Sequence, residues 1–205
     1  DQSSDGKNIS SVIFNGKPLL AYTDSKSGIL KIAAWDGKIW RKSTVDGAGG
    51  SGDRTKSKIT SPISLCVNGS GTKQTLHIFY SESDNRDLHY ATYDGKNFTY
   101  EIVDGNGTQV NDYKDPVRVR TGSDVSISSA CVATSGGVQV FYRDESQGIL
   151  LGATKLRGGK SWNYELVDGD RKTDGRTTGD VAFHLKAIFD GNKTYVIYDS
   201  VLTIN

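Results

Sequence analysis

The length and charge of the chain exclude several classes of protein. Its 205 residues can bury one substantial core but cannot build several ordinary domains. Its 25 basic and 24 acidic residues leave a net charge of +1, which argues against a nucleic-acid or membrane-surface partner held mainly by charge. No apolar run of about eighteen residues occurs, so the sequence predicts no membrane-spanning helix.

A pattern of strands recurs along the chain. Three copies end in Val-Asp-Gly, and a fourth copy begins near the C-terminus. The copies read "LLAYTDSKSGILKIAAWDGKIWRKSTVDG", "LHIFYSESDNRDLHYATYDGKNFTYEIVDG", "VQVFYRDESQGILLGATKLRGGKSWNYELVDG" and "YVIYDSVLTIN". Their aligned tyrosines, which recur about every sixty residues, are Tyr22, Tyr80, Tyr142 and Tyr198. A period of this size is typical of propellers, solenoids and arrays.

Each copy has the periodicity of β-strands. Apolar residues alternate with polar ones in "VQVFYRD" and "LHYATY", so the period is two rather than 3.6. Asp-Gly pairs in "WDGK" and "YDGK" are hairpin signals, because both central residues of such a turn take positive φ. A more apolar strand, such as "PISLCVNG", precedes each copy. Each unit is therefore expected to contain four antiparallel strands, with Val-Asp-Gly at the end of the fourth.

Units of this kind predict an all-β fold, a β-propeller of four-stranded antiparallel blades. One four-stranded meander cannot bury both of its faces, whereas sheets stacked around an axis cover one another. We expect residues 1–205 to form a single propeller or propeller fragment of about 3.5 blades. The blades are expected near residues 8–47, 61–105, 124–169 and 180–205, the last of them incomplete. Open strand edges favour a second chain or fragment that completes the propeller.

Asparagine usage bears on the compartment in which the protein works. The polar start without methionine indicates a processed N-terminus. Acceptor sequences for N-glycosylation exceed the roughly two that chance would give, although some also read as turn dipeptides. The candidate asparagines are Asn8, Asn68, Asn97, Asn106 and Asn192. We therefore predict a secreted or cell-surface glycoprotein.

The two cysteines occupy equivalent places in neighbouring repeats. Cys66 lies in "ISLCV" and Cys131 in "SSACV", both apolar runs. The simpler interpretation is a pair of small buried thiols. The alternative is a disulfide between neighbouring repeats, which needs Cα atoms within about 7 Å. Neither cysteine has metal-ligand spacing or an adjacent base, so neither is expected to be catalytic.

The repeat pattern resembles that of secreted bacterial and fungal tandem-repeat propellers. It is similar in blade pattern to the six-bladed fucose-binding lectins of fungi and bacteria. That resemblance implies a propeller scaffold with sugar sites between blades, built from an arginine on the second strand, a glutamate on the third and a nearby tryptophan. The second strands "PLLAY", "LHIFY", "VQVFY" and "TYVIY" hold no arginine, and the third strands hold no glutamate. The resemblance therefore extends to the scaffold and not to the fucose site.

Long loops follow each Val-Asp-Gly and carry the candidate ligand-binding residues. Asp, Arg and an aromatic ring together suit hydroxyl-rich ligands, because charged hydrogen bonds orient a sugar and a ring receives its C–H face. The alternative is that these are solvated connections in which Asp–Arg pairs hold the loops down. The candidates are Asp53, Arg54, Asp112, Tyr113, Asp170 and Arg171.

Other chemistry-bearing residues show no site pattern. His77, His89 and His184 lie at non-equivalent strand positions, and we interpret them as exposed or satisfied strand residues. Acids in the tight turns, such as Asp24 and Glu82, are explained by turn chemistry. No catalytic residue, metal site or cofactor is predicted.

The function that these patterns favour is non-enzymatic recognition of a glycan or glycoprotein, by a lectin-like module using loops or inter-blade pockets. One alternative is a glycoside-active propeller enzyme, a hydrolase or lyase, because a carboxylate pair cannot be recognised from sequence alone. A second alternative is a structural or adhesive surface module without a small ligand.

Overall fold

The computed structural model describes residues 6–107, 119–169, 177 and 179–201 of the chain. In these residues every helix or strand assigned is a β-strand, which confirms the predicted all-β class. No helix in the described part is long and apolar enough to cross a membrane.

The described residues form fourteen strands, and within each sheet every strand pairs antiparallel with its neighbours in sequence. Sheet 1 contains β1 (Gly6–Phe14), β2 (Lys17–Asp24), β3 (Leu30–Trp35) and β4 (Trp40–Asp46). Sheet 2 contains β5 (Ser64–Ser70), β6 (Lys73–Ser81), β7 (Leu88–Tyr93) and β8 (Phe98–Asp104). Sheet 3 contains β9 (Val125–Thr134), β10 (Gly137–Asp144), β11 (Ile149–Leu156) and β12 (Asn163–Asp168). In sheet 4 the described strands are β13 (Asp180–Phe189) and β14 (Thr194–Val201).

Three hairpins close on Asp-Gly turns of one kind. The carboxylate of Asp36 accepts hydrogen bonds from the backbone N–H groups of Lys38 and Ile39 at 2.8 and 2.9 Å. Asp94 and Asp190 cap the β7–β8 and β13–β14 turns in the same way. The following glycines have φ near +100°, a conformation that costs other residues energy. The hairpins are thus set by local sequence chemistry.

Hydrophobic residues pack between neighbouring sheets, so each sheet covers the next. Between sheets 1 and 2 the buried residues include Leu19, Leu30, Ile78 and Tyr80. Between sheets 2 and 3 they include Phe79, Leu88, Tyr142 and Trp162. Between sheets 3 and 4 they include Phe141, Leu150, Val181 and Leu185. The first strands of all four sheets line one shared groove, as expected for sheets that stack around an axis.

A disulfide joins the first strands of sheets 2 and 3. Cys66 on β5 and Cys131 on β9 are bonded, with their Cα atoms 5.9 Å apart. The simpler interpretation of two free buried thiols is therefore wrong, and the alternative of a link between neighbouring repeats is confirmed. The physical reason is the adjacency of the two strands, since equivalent positions on neighbouring first strands come within bridging distance.

The aspartate of each Val-Asp-Gly binds the tyrosine of the following sheet. The Tyr80 hydroxyl donates to Asp46 at 2.8 Å, and the Tyr142 hydroxyl donates to Asp104 at 2.7 Å. Tyr198 donates to Asp168 in the same way. Asp46 and Asp104 are fully buried, so these bonds join sheets through desolvated charges. The aspartate of the triplet that ends each fourth strand therefore also joins that sheet to the next by a hydrogen bond from its tyrosine.

A threonine from the following loop completes each of these aspartate sites. The backbone N–H groups of Thr55, Thr121 and Thr177 donate to Asp46, Asp104 and Asp168. Each threonine directly follows an arginine in the sequence. The recurring threonine thus holds the loop after each Val-Asp-Gly against the aspartate that ends the preceding sheet.

Candidate functional site

A polar cavity opens between sheets 2 and 3. Its volume is about 340 Å³. It lies at the end of the strands where the β5–β6, β9–β10 and β11–β12 hairpins turn, opposite the end that carries Val-Asp-Gly. Polar side chains reach it from both sheets: His77, Tyr90, Thr92 and Glu101 from sheet 2, and Lys155 from sheet 3.

His77 contributes a buried ring nitrogen that has no partner. Its Nδ1 lies 2.7 Å from the Tyr90 hydroxyl, and the two rings are stacked nearly parallel. Its Nε2 is buried and makes no hydrogen bond within the described part of the chain. Burial lowers the pKa of His77 to about 4, so the imidazole is neutral at physiological pH. A neutral imidazole can offer one donor or one acceptor to a ligand in the cavity.

Glu101 is held at the cavity wall by groups from sheet 3. The ammonium group of Lys155 contacts Glu101 Oε1. The Trp162 indole N–H donates to Glu101 Oε2 at 3.2 Å. The Trp162 ring meets the Tyr90 ring edge-on, with centroids 5.2 Å apart. These contacts give the cavity a charged donor and a charged acceptor whose positions are set by packing.

The same positions in sheet 1 cannot form such a cavity. In the repeat alignment, His77, Tyr90 and Glu101 correspond to residues that are apolar or small. Those residues are Leu19, Ile32 and Ser43. Leu19 and Ile32 are buried in the core between sheets 1 and 2, where the Tyr93 ring also packs. Sheet 3 has polar residues, Gln139 and Glu165, at two of these positions, so the histidine, tyrosine and glutamate occur together in sheet 2 alone among sheets 1 to 3.

The predicted loop residues fall at the other end of the strands. The Arg54 guanidinium lies 3.6 Å from Asp46 Oδ1 and 5.2 Å from the centroid of the Tyr100 ring. Asp53 is exposed beside it. Arg54 thus holds its loop against sheets 1 and 2, in line with the alternative interpretation of these loops. A ligand-binding role for Asp53 and Arg54 stays a prediction. The other candidates, Asp112, Tyr113, Asp170 and Arg171, lie outside the described residues.

The histidine interpretation is wrong for two of the three residues. His77 and His89 are buried, and each has one ring nitrogen without a hydrogen-bond partner. His184 is exposed and its Nδ1 lies 2.8 Å from Asp199. The sequence signal for His77 was weak, because the aligned residues are Leu19 in sheet 1 and Gln139 in sheet 3.

The glycosylation candidates differ in accessibility. Asn97, Asn106 and Asn192 are exposed. Asn8 is partly buried, and its side-chain amide donates to the Thr60 carbonyl at 3.1 Å. Asn68 is partly buried at the rim of the cavity. Glycosylation and secretion remain predictions.

Comparisons with known proteins concern the fold. No protein-family model and no curated protein matches the sequence. Among solved structures, the NanB sialidase of Streptococcus pneumoniae matches 95% of the chain at a TM-score of 0.54 and 12% identity, and the chain spans 28% of that protein. A fucose lectin from Kordia zhangzhouensis matches 76% of the chain and 96% of its own length, at a TM-score of 0.47 and 9% identity. The fucose-specific lectin of Aleuria aurantia matches 90% of the chain and 67% of its own length, at a TM-score of 0.38 and 14% identity.

The stacked antiparallel sheets and the likeness to the sialidase define the class of the protein. It is an all-β protein with the sheet arrangement of a β-propeller.

Proposed function

We propose that the chain is a non-enzymatic carbohydrate-recognition module that binds its ligand between sheets 2 and 3. The observation that carries the proposal is the cavity of about 340 Å³, in which a buried, unpartnered His77 nitrogen accompanies the Glu101–Lys155 pair. Cavities that bind small ligands have volumes from roughly 300 Å³ upward and contain a few convergent polar groups.

The donor and acceptor set suits a ligand rich in hydroxyl groups. A sugar hydroxyl both donates and accepts, so it can bridge the Glu101 carboxylate and the Lys155 ammonium. A second hydroxyl can pair with His77 Nε2, which otherwise stays unsatisfied in a buried place at an energetic cost. The Tyr90 ring adds apolar surface for the C–H face of the sugar.

A glycoside-active enzyme is the main alternative. Most glycosidases use two carboxyl groups on opposite sides of the bond that they cleave. Among the described residues the cavity wall presents one carboxylate, Glu101, and both of its oxygens are engaged by sheet 3. This engagement supports recognition, because a catalytic carboxyl must exchange its proton or attack the ligand.

The proposal includes secretion and assembly. The Cys66–Cys131 disulfide supports an oxidising compartment, where such bonds persist. The exposed apolar side chains on β14, Tyr195 and Ile197, support a second chain or fragment that covers sheet 4 and completes a propeller of which this chain supplies about 3.5 blades. Sedimentation of the chain across a concentration series measures such assembly.

A pair of matched variants tests recognition. Glycan-array screening of the full chain is followed by calorimetry with the best ligand for the wild type, Glu101→Gln and Glu165→Gln. Glu165 occupies the position of Glu101 in sheet 3 but is exposed and does not line the cavity. We expect Glu101→Gln to weaken binding tenfold or more and Glu165→Gln to leave it unchanged.

The outcomes separate the candidate functions. Binding without product release supports the recognition module. Release of product, lost in Glu101→Gln, supports the enzyme and overturns the proposal. No binding on a broad array, or equal binding by both variants, also overturns it and favours the structural or adhesive module.

A further inference from the structure

A second polar cluster lies at the Val-Asp-Gly end of sheet 2. Glu82, Asp87 and His89 each place a potential ligand atom within 4.8 Å of the others. All three residues are at least 96% buried. Two carboxyl groups this close, away from water, are unfavourable when both are ionised and no cation is near.

Comparison with sheet 1 shows what the cluster lacks. Glu82 occupies the repeat position of Asp24, whose carboxylate is paired with the Lys31 ammonium at 2.8 Å. His89 occupies the position of Lys31. In sheet 2 an imidazole therefore replaces the cation, and Asp87 adds a second carboxyl group. Sheets 1 and 3 have isoleucines, Ile29 and Ile149, at the position of Asp87.

Two atoms of the cluster have no partner although they are buried. Asp87 Oδ1 and His89 Nδ1 make no hydrogen bond to any residue that the structure describes. The Asp53 backbone also interacts with the His89 ring. Metal-bound histidines commonly have such a second contact, which leaves one ring nitrogen for the metal.

The surrounding charges do not neutralise the cluster. Glu82 and Asp87 bring two carboxyl groups to the cluster, and the ion pairs found within the described residues include neither of them. Arg86 is engaged elsewhere, at 3.0 Å from Asp124. A cation bound among the three side chains would remove the repulsion that the Lys31 ammonium group removes in sheet 1.

We propose that Glu82, Asp87 and His89 form a binding site for one divalent transition-metal ion of the Zn²⁺ type. One imidazole nitrogen and two carboxylates suit Zn²⁺ or Mn²⁺, whereas Ca²⁺ and Mg²⁺ prefer oxygen ligands alone. The Glu82 carboxylate is already oriented, since it accepts the backbone N–H groups of Asp84 and Asn85 at 2.7 and 2.8 Å. The site is separate from the proposed carbohydrate cavity, which lies at the opposite end of sheet 2.

Metal titration of the full, tag-free chain tests the site. The chain is stripped with a chelator, and ZnCl₂, MnCl₂ and CaCl₂ are titrated by calorimetry, with the bound metal counted by elemental analysis. We expect one Zn²⁺ per chain and a raised Tm on binding. Asp87→Asn is expected to weaken Zn²⁺ binding at least tenfold. The control Asp144→Asn, another buried acid but one without a neighbouring histidine, is expected to leave binding unchanged.

A spectroscopic arm keeps the test decisive if Asp87→Asn folds poorly. Co²⁺ bound to the wild type is expected to show a visible absorption band that bound Zn²⁺ abolishes. No stoichiometric binding of any transition metal to the wild type, binding of Ca²⁺ in place of Zn²⁺, or equal Zn²⁺ binding by the two variants would each overturn the proposal.

Discussion

The hydrogen bond between Tyr142 and Asp104 can be tested by removing one hydroxyl group. Both residues are fully buried, and the bond measures 2.7 Å. In Tyr142→Phe the Asp104 carboxylate keeps bonds from the Thr121 and Gly105 backbones but loses the donor from the next sheet. A hydrogen bond to a charged group contributes about 1.5–3 kcal/mol. We therefore expect the free energy of unfolding to fall by about 2 kcal/mol.

The effect is expected to depend on pH. Burial raises the pKa of Asp104, while the Tyr142 hydroxyl lowers it by binding the ionised form. Removing the hydroxyl raises that pKa further, so the loss of stability is complete where Asp104 is ionised in both folded proteins. It shrinks as the pH falls through the pKa values of the folded proteins, because a protonated carboxyl group needs this donor less.

Urea denaturation of the wild type and two variants at several pH values measures this prediction. Tyr22→Phe is the matched control, since Tyr22 is the aligned tyrosine of sheet 1, is half-buried and makes no hydrogen bond through its hydroxyl within the described residues. Its expected loss is below about 0.5 kcal/mol. If Tyr142→Phe costs no more than Tyr22→Phe, or if its cost is the same at all pH values, the argument that buried aspartates fasten the sheets is wrong.

Three further predictions concern other contacts. Replacing Cys66 and Cys131 by serine removes a link between residues that are 65 apart in sequence. Guanidinium titrations should show that the free energy of unfolding falls by about 4 kcal/mol. A loss below about 1 kcal/mol would contradict a native disulfide. The folded-state pKa of His77, about 4, lies below its unfolded value, so stability should fall by about 3 kcal/mol as the pH drops from about 6.5 to 4. His77→Gln should remove most of this dependence of stability on pH. If the dependence is unchanged, a group other than His77 takes up the proton. When the chain is secreted from a eukaryotic host, it should lose mass on deglycosylation. The Asn97→Gln variant should lose less mass than the wild type. If both lose the same mass, Asn97 is not an acceptor.

The class and strand order were predictable because they depend on local signals. Alternation of apolar residues marked the strands, and Asp-Gly pairs such as Asp36–Gly37 marked the turns, since each of these patterns acts within a few residues. The Val-Asp-Gly triplets were correctly expected to end the fourth strands. Their role in joining sheets was not visible, because the partner tyrosine lies 30 or more residues away.

The candidate site was harder to predict because it is formed between sheets. His77, Glu101 and Lys155 are separated by loops, and their meeting depends on which face of each strand packs against the next sheet. The loop pattern predicted a ligand-binding role for Arg54, which stays a prediction; in the structure its guanidinium lies 3.6 Å from Asp46 Oδ1. The position of His77 varies among the repeats, with Leu19 in sheet 1 and Gln139 in sheet 3, so the repeat pattern alone did not mark it.

The Tyr142–Asp104 bond and the cavity proposed for recognition lie at opposite ends of sheets 2 and 3. The Tyr–Asp and Thr–Asp bonds hold neighbouring sheets at the Val-Asp-Gly end. Those contacts already fix the spacing of sheets 2 and 3. Polar residues at the opposite end, such as His77 and Glu101, therefore reduce stability less than they would if that end held the sheets together alone. A variant that weakens fastening, such as Tyr142→Phe, should accordingly weaken ligand binding in the cavity without touching any residue that lines it.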